Sequence, residues 1–310
     1  MNEFELIARL TKSLPTNPAV VTGAGDDCAV LEVGLPDRWL LFKTDAVVEG
    51  IHFIPDTAPE KIGHKALARC LSDVAAMAGT PTAALVTIAL PQQFDVKFVE
   101  SIYAGLNALA RKHDMAVVGG ETTTNPERLL ISVALVGFVP RGQAVRRGGA
   151  KAGDAIFVTG ELGGSLAGKH VEFEPRLAEG RWLAQHFPVH AMIDLSDGLA
   201  GDLRHILKAS RVGAELLKSA VPIAPAAKLR AKTHPSAKPP FVAALTDGED
   251  FELLFTVPSP EAVKLVDAWK KKFPKLRLTC IGKIMAGEGI TVRDRTGAQP
   301  FTSDGYVHFA

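Results

Sequence analysis

The sequence has little of what marks a membrane, secreted or nucleic-acid-binding protein. Its longest apolar runs, residues 83–90 and 133–139, fall far short of the roughly 20 residues a bilayer-spanning helix needs. Three scattered cysteines, Cys28, Cys70 and Cys280, form no CxxC pair, which argues against a disulfide framework and fits buried thiols in a reducing cytoplasm. Lysine plus arginine number 35 against 34 acids, so no charge excess recruits nucleic acid or an anionic membrane. The opening stretch, MNEFELIARL, carries two acids and lacks signal-peptide anatomy; cytoplasmic localisation is the expectation. Aromatics are scarce, with two tyrosines and three tryptophans. Also missing are a Walker GK[ST] loop, an HRD-type catalytic loop, a Ser/His/Asp arrangement and a nucleophilic-cysteine context.

What is present is a series of acidic turns. Residues 23–53 predict two strands, with cores at 30–31 and 40–42, joined by a turn at 34–37. Pairing them brings Asp26 and Asp27 toward Thr44 and Asp45, with Glu49 close by. Carboxylates that close repel unless a cation sits among them, and a hard divalent ion is the usual solution. The plainer reading, that acids beside glycines are turn residues, holds for GDD alone. Residues 55–79 predict a helix capped by Asp56 or Thr57 with Pro59 in its first turn. Ile62, Ala66, Leu67, Cys70, Leu71, Val74, Met77 and Ala78 form its apolar arc. Asp73 falls inside that arc, where a carboxylate needs a partner: a metal, or Arg69 one turn earlier.

Residues 2–12 and 95–113 predict amphipathic helices, and 83–90, 115–118 and 129–139 strands. The strand at 115–118 runs into GGETT, which as a loop lets backbone amides approach a phosphate or is an exposed turn. Arg146-Arg147 either sit in solvent or clamp a phosphate. At this length two domains are expected: 1–140, a basic glycine-rich linker at 141–153, and 154–310. The second half repeats the α/β style. A strand at 192–193 ends in Asp194-Leu195-Ser196-Asp197-Gly198 before a helix at 199–210, and a further acidic turn, Asp247-Gly248-Glu249-Asp250, precedes a strand at 251–257. Capping accounts for Ser196 or Asp197, without needing both Asp194 and Asp197.

Six motifs stand in order: GDDCAVL at 25–31, TDAVVEGIHF at 44–53, LSDVAAMAG at 71–79, GGETT at 119–123, IDLSDGL at 193–199 and DGEDFELLF at 247–255. In these motifs the chain closely resembles the thiamine-monophosphate kinase family, within the aminoimidazole ribonucleotide synthetase-like superfamily. The resemblance implies a two-domain α/β (α+β) fold. Its N-terminal sheet domain binds ATP and Mg²⁺ and forms the core of a homodimer, and its C-terminal α/β domain completes the substrate site. It implies Mg²⁺-dependent transfer of the ATP γ-phosphate to thiamine monophosphate, giving thiamine diphosphate. By the same resemblance the metal ligands are Asp27, Thr44, Asp45, Asp73, Glu121, Asp194 and Asp197. ATP contacts are Tyr103, Gly120, Glu121, Arg147 and Ser196, and substrate contacts are His52, Glu249 and Tyr306. The chain departs from the family pattern at Lys43, often Ser in relatives; at Glu121, usually Asp; and at Thr246-Asp247, usually a small residue and glycine.

The missing catalytic loop agrees with this chemistry. Phosphoryl transfer is mostly positioning and charge neutralisation. The acceptor is a phosphate monoester with a second pKa of about 6, already anionic at neutral pH, so no protein base or nucleophile is expected. Two other classes compete: a synthetase activating an amide or selenide, and a ligand-binding relative without metals. The selenophosphate branch needs a cysteine upstream of the first acids, and residues 1–22 contain none.

Overall fold

The structure is a computed structural model and describes residues 3–303, 305 and 306. The chain forms two compact units: Pro18–Ala144 with Gly168–Arg181, and Met1–Asn17 with Val145–Ala167 and Trp182–Ala310. They are called here the N-terminal and C-terminal units. No described helix is long and apolar enough to cross a membrane. The first helix, α1 (Glu3–Thr11), forms as expected, but Ile7 and Leu10 are exposed instead of lining a buried stripe; the side chain of Phe4 lies outside the described part.

The N-terminal unit contains β1 (Val20–Thr22), β2 (Ala29–Leu31), β3 (Arg38–Val48), α2 (Pro59–Ala76), β4 (Thr80–Leu90), α3 (Val96–Lys112), β5 (Ala116–Thr124) and β6 (Leu130–Pro140). Its described strands form one sheet ordered β1-β2-β3-β6-β4-β5, antiparallel except for β4 and β5. Alternation along the strands sorts the faces. Leu41, Val47, Ile131, Val133, Leu135, Val86 and Ile88 are buried on the face that α2 packs against. On the opposite face Phe42 is 46% and Leu85 49% exposed.

The arc predicted for α2 is buried throughout. Pro59 occupies the first turn as expected, where a missing N–H is harmless, but Ala58, not Asp56 or Thr57, is the N-cap and no side chain caps the helix. On α3, Asp95 accepts the Lys97 amide at 2.9 Å as an N-cap. The largest correction concerns GGETT. It is not a loop: β5 continues through Gly119–Thr124, hydrogen-bonded in parallel to β4 with Gly120 opposite Val86 and Glu121 opposite Thr87. A Cβ on Gly120 would stand 1.8 Å from the Val86 carbonyl oxygen, so close strand packing requires the glycine.

The C-terminal unit contains β7 (Asp154–Thr159), α4 (Leu177–His186, which begins in the preceding unit), β8 (Ala191–Asp194), α5 (Leu199–Ser210), β9 (Gly213–Leu217), α6 (Pro225–Thr233), α7 (Pro240–Thr246), β10 (Leu253–Pro258), α8 (Ala262–Lys272), β11 (Leu278–Met285), β12 (Ile290–Asp294) and β13 (Gly297–Pro300). The described sheet runs β13-β12-β9-β11-β7-β10-β8. Ile156, Val158, Ile193, Leu203, Ile206, Leu254 and Ile281 lie in its core, making both units α+β. Trp269 is buried, with Nε1 donating to the Leu276 carbonyl at 2.8 Å. Cys28 and Cys70 are buried as expected; Cys280 is exposed, because it points off the open side of β11 while Ile281 points into the core.

Candidate active site

The N-terminal unit builds a charged layer under its covered sheet face. Lys43 and Asp45 alternate with Leu41 and Val47 on that face of β3, and Arg69 and Asp73 rise from α2 one turn apart. Lys43 Nζ donates to Asp73 Oδ1 at 2.8 Å, and Arg69 Nε to Asp45 Oδ2 at 3.1 Å. Beside the Arg69 or metal partner considered from sequence, Asp73 thus has Lys43 as a partner across the strand–helix contact. Asp45 Oδ1 also accepts the Ala46 amide at 2.7 Å. Burial opposes the charge on Lys43, yet the Asp73 and Asp45 carboxylates hold its ammonium well above the ordinary lysine range. Against burial, Arg69 and then Lys43 hold Asp45 below its ordinary value. Both thiols nearby, Cys28 and Cys70, are pushed up by burial and by these carboxylates, which makes them inert.

Of the residues expected at the metal site, Asp27 and Asp73 are brought together: both are buried, with carboxylate oxygens within 4.8 Å of each other. Thr44 is not brought to them, since strand alternation puts its side chain on the exposed face, opposite Lys43 and Asp45. Glu121 is exposed on β5, separated from β3 by β6 and β4. Glu49, grouped with the acids in sequence, serves the backbone instead: Oε2 accepts the Leu129 amide at 3.0 Å. Tyr103 is half-buried on α3, where burial raises its phenol. His52 follows β3 in a turn, and its Nδ1 accepts the Val48 amide at 3.0 Å. That bond puts the neutral ring's proton on Nε2, so His52 offers a donor and not a general base. Lys65, which sequence reasoning missed, is 0% exposed and donates Nζ to the His52 carbonyl, holding this turn.

In the C-terminal unit three segments interlock. The turn after β8 holds Asp194, Ser196 and Asp197. Glu249 donates its amide to the Ser196 carbonyl at 2.7 Å, Phe251 to that of Leu195 at 2.8 Å, and Tyr306 to that of Asp197 at 2.8 Å. Glu249 adopts the left-handed φ of 54°, uncommon for a non-glycine residue and recurrent at functional sites. Its neighbour Gly248 packs so that a Cβ would lie 2.8 Å from the Ser196 carbonyl oxygen. Asp250 and Asp247 are structural: Asp250 accepts the Gly163 amide at 2.9 Å, and Asp247 accepts that of Gly164 at 3.1 Å while pairing with Arg230 and Lys238. Those two cations anchor the unusual Thr246-Asp247. Five expected residues, Asp194, Ser196, Asp197, Glu249 and Tyr306, therefore gather here.

Capping does not explain this turn, because Gly198 is the N-cap of α5 and no side chain caps it. A further residue, Asp202, is buried in the first turn of α5 and accepts the Asp197 amide at 3.1 Å. Asp197, Asp202 and His205 each offer a ligand atom, all within 4.8 Å of one another. Burial first, then the charges of Asp197 and Asp194, push the Asp202 carboxyl well up, and Arg147 opposes that rise. His205 is held down at about 4 by burial and by the charge of Arg147. Arg147 thus acts beside the acidic turn, not in open solvent. Asp202 was findable: it falls on the apolar arc with Leu199 and Ile206, the same signal that exposed Asp73.

Sequence profiles of AIR synthase related protein, N-terminal domain, and AIR synthase related protein, C-terminal domain, match residues 25–139 and 151–295. Thiamine-monophosphate kinase of Rhodopirellula baltica is 38% identical, the match covering 94% of this chain and 92% of the relative. That of Salmonella typhimurium is also 38% identical, covering 99% and 98%. The solved structure of AaThiL complexed with AMPPCP and TMP superposes with a TM-score of 0.82 at 32% identity, over 99% of this chain and 97% of that one. E. coli HypE, a hydrogenase maturation protein, shares the fold, at a TM-score of 0.73 and 20% identity over 98% of each chain. With both domain profiles matched in order and near-full-length identity to these kinases, the chain belongs to the thiamine-monophosphate kinase family.

Proposed function

We propose that this chain transfers the γ-phosphate of ATP in line to the phosphate of thiamine monophosphate, giving thiamine diphosphate and ADP. ATP-dependent phosphorylation of thiamine monophosphate is the activity of its family, and the complex of AaThiL with AMPPCP and TMP supports both substrates. The observation that carries the reading to residues is the gathering of Asp194, Ser196, Asp197, Glu249 and Tyr306 on three interlocked segments.

Asp27, Asp73, Asp194 and Asp197, with Thr44, Asp45 and Glu121, are the residues proposed to hold Mg²⁺. The donor set fits: hard oxygens, with Asp27 and Asp73 close enough to share one ion. When bound, Mg²⁺ neutralises charge on the transferring and leaving phosphates. The chain's own residues bind and orient. His52 presents Nε2–H to an anionic oxygen, Arg147 and Ser196 with Tyr103 and Gly120 serve the nucleotide, and Glu249 and Tyr306 serve thiamine. No residue moves a proton, because the acceptor oxygen is already anionic.

Residues 1–140 are proposed as the ATP, Mg²⁺ and dimerisation domain, 141–153 as linker and 154–310 as the domain completing the substrate site, in a cytoplasmic homodimer. The half-exposed Phe42 and Leu85 on the uncovered sheet face support the dimer, since such a face needs cover. Sedimentation at micromolar concentration should give twice the chain mass; a folded, active monomer refutes it. Transfer from chiral γ-phosphate should invert configuration. Net retention, or a trapped phosphoenzyme, overturns direct transfer.

A further inference from the structure

Lys43 and Asp45 are two residues apart on β3, about 6.6 Å along a strand. Arg69 and Asp73 are four apart on α2, about 6 Å along a helix. The two spacings nearly agree, so both contacts form together; each element runs plus then minus in chain order, and Lys43 meets Asp73 while Arg69 meets Asp45 because they face each other in opposite directions. Lys43 is held where it stands. It shares its strand face with Leu41 and Val47, 0% and 1% exposed, it lies opposite Leu135 of β6, and its side chain is 22% exposed. An ammonium on that face reaches the Asp73 carboxylate, whose oxygens approach those of Asp27.

We propose that Lys43 is a tethered cation of the N-terminal carboxylate site: its ammonium occupies Asp73 Oδ1, and the chain binds one divalent ion fewer than it does without the lysine's charge. This deepens, and rests on, the reading that Asp27 and Asp73 hold Mg²⁺. A compact ammonium suits the position, since it brings one positive charge and three donors without needing a coordination shell. The price of this device is a weaker local field than a second divalent ion supplies. Its gain is a carboxylate layer already compensated before any metal binds.

The test counts bound Mn²⁺ on the full chain, without nucleotide, from the loss of the free-ion electron paramagnetic resonance signal. Wild type is compared with Lys43→Met, Lys43→Ser, Lys43→Arg and Asp73→Asn. The expected result is one additional Mn²⁺ equivalent on Lys43→Met and Lys43→Ser, and none on Lys43→Arg. Thermal melting supplies a second readout. Without metal, Lys43→Met melts below wild type, and saturating Mg²⁺ raises its midpoint more than it raises that of wild type. Unchanged Mn²⁺ counts and affinities in both uncharged variants overturn the proposal while leaving the metal reading standing. No Mn²⁺ binding to wild type or any variant, with Mg²⁺ shifting the melting of Asp73→Asn and of wild type equally, overturns the metal reading and the proposal with it.

Discussion

In the N-terminal unit Asp45 and Asp73 each face a cation, Arg69 at 3.1 Å and Lys43 at 2.8 Å. In the C-terminal unit Asp202 faces Asp197 and Asp194, and burial with that repulsion pushes its carboxyl well above the ordinary range. The first cluster has a cation against each of these two carboxylates; in the second, Arg147 offsets only part of the rise of Asp202. Crowded carboxylates are thus not one kind of site: the first is preorganised at fixed charge, whereas the second should respond strongly to pH and to metal.

Charge removal should have the largest effect in both clusters. Asp73→Asn, Asp45→Asn and Asp194→Asn are each expected to cut turnover by ~10² or more, as losses of electrostatic stabilisation of the transferring group do. Near wild-type turnover at saturating Mg²⁺ contradicts the assignment of the residue concerned. Metal-free stability should separate the units. Asp73→Asn and Asp45→Asn leave Lys43 or Arg69 poorly paired and destabilise by roughly 1–3 kcal/mol, while Asp194→Asn also relieves its repulsion of Asp202 and should cost less. Equal melting shifts in all three erase the contrast.

Acid titration of the metal-free protein comes next. His205 is held at about 4 against an ordinary 6.5, so the unfolded chain binds its proton more readily. Stability should therefore fall as pH drops from 6.5 toward 4, by about 3 kcal/mol from this group. His205→Gln should remove that part of the slope in denaturant titrations; an unchanged slope assigns it elsewhere.

Smaller effects test the edges. Tyr306 is tied through its amide to Asp197, while the residue is 48% exposed. Tyr306→Ala should raise KM for thiamine monophosphate roughly 5- to 30-fold, a cation–π loss of about 1–2 kcal/mol, with KM for ATP nearly unchanged. A drop in melting temperature with normal affinity makes it a structural tie. Smallest of all, Cys28→Ala, Cys70→Ala and Cys280→Ala should keep activity, and Cys280→Ala should change stability by less than about 0.5 kcal/mol because that thiol is exposed.

Strong periodicity made much of the fold legible. The α2 arc, the helix at 95–113 and the paired strands at 29–31 and 38–48 all follow from spacing and turn chemistry. Where local signals compete, reading failed. Paired glycines in GGETT signal a loop, but parallel pairing with β4 keeps them extended and demands a glycine at 120. The short proline-led α6 and α7 carry little amphipathic pattern and were not predicted. At the site, Asp73 was visible as an acid on an apolar arc. Lys65 was not, because it lies outside that arc and its burial comes from the turn at His52. Lys43 drew notice as a departure from a family pattern; that it partners Asp73 needed the register of β3 against α2.

Phosphoryl transfer to thiamine monophosphate is tested most directly by following ADP release with thiamine monophosphate present, absent, or replaced by thiamine. ADP should form only with thiamine monophosphate, in one-to-one ratio with thiamine diphosphate, and stop when Mg²⁺ is chelated. ADP release that ignores thiamine monophosphate, or that yields no thiamine diphosphate, contradicts it.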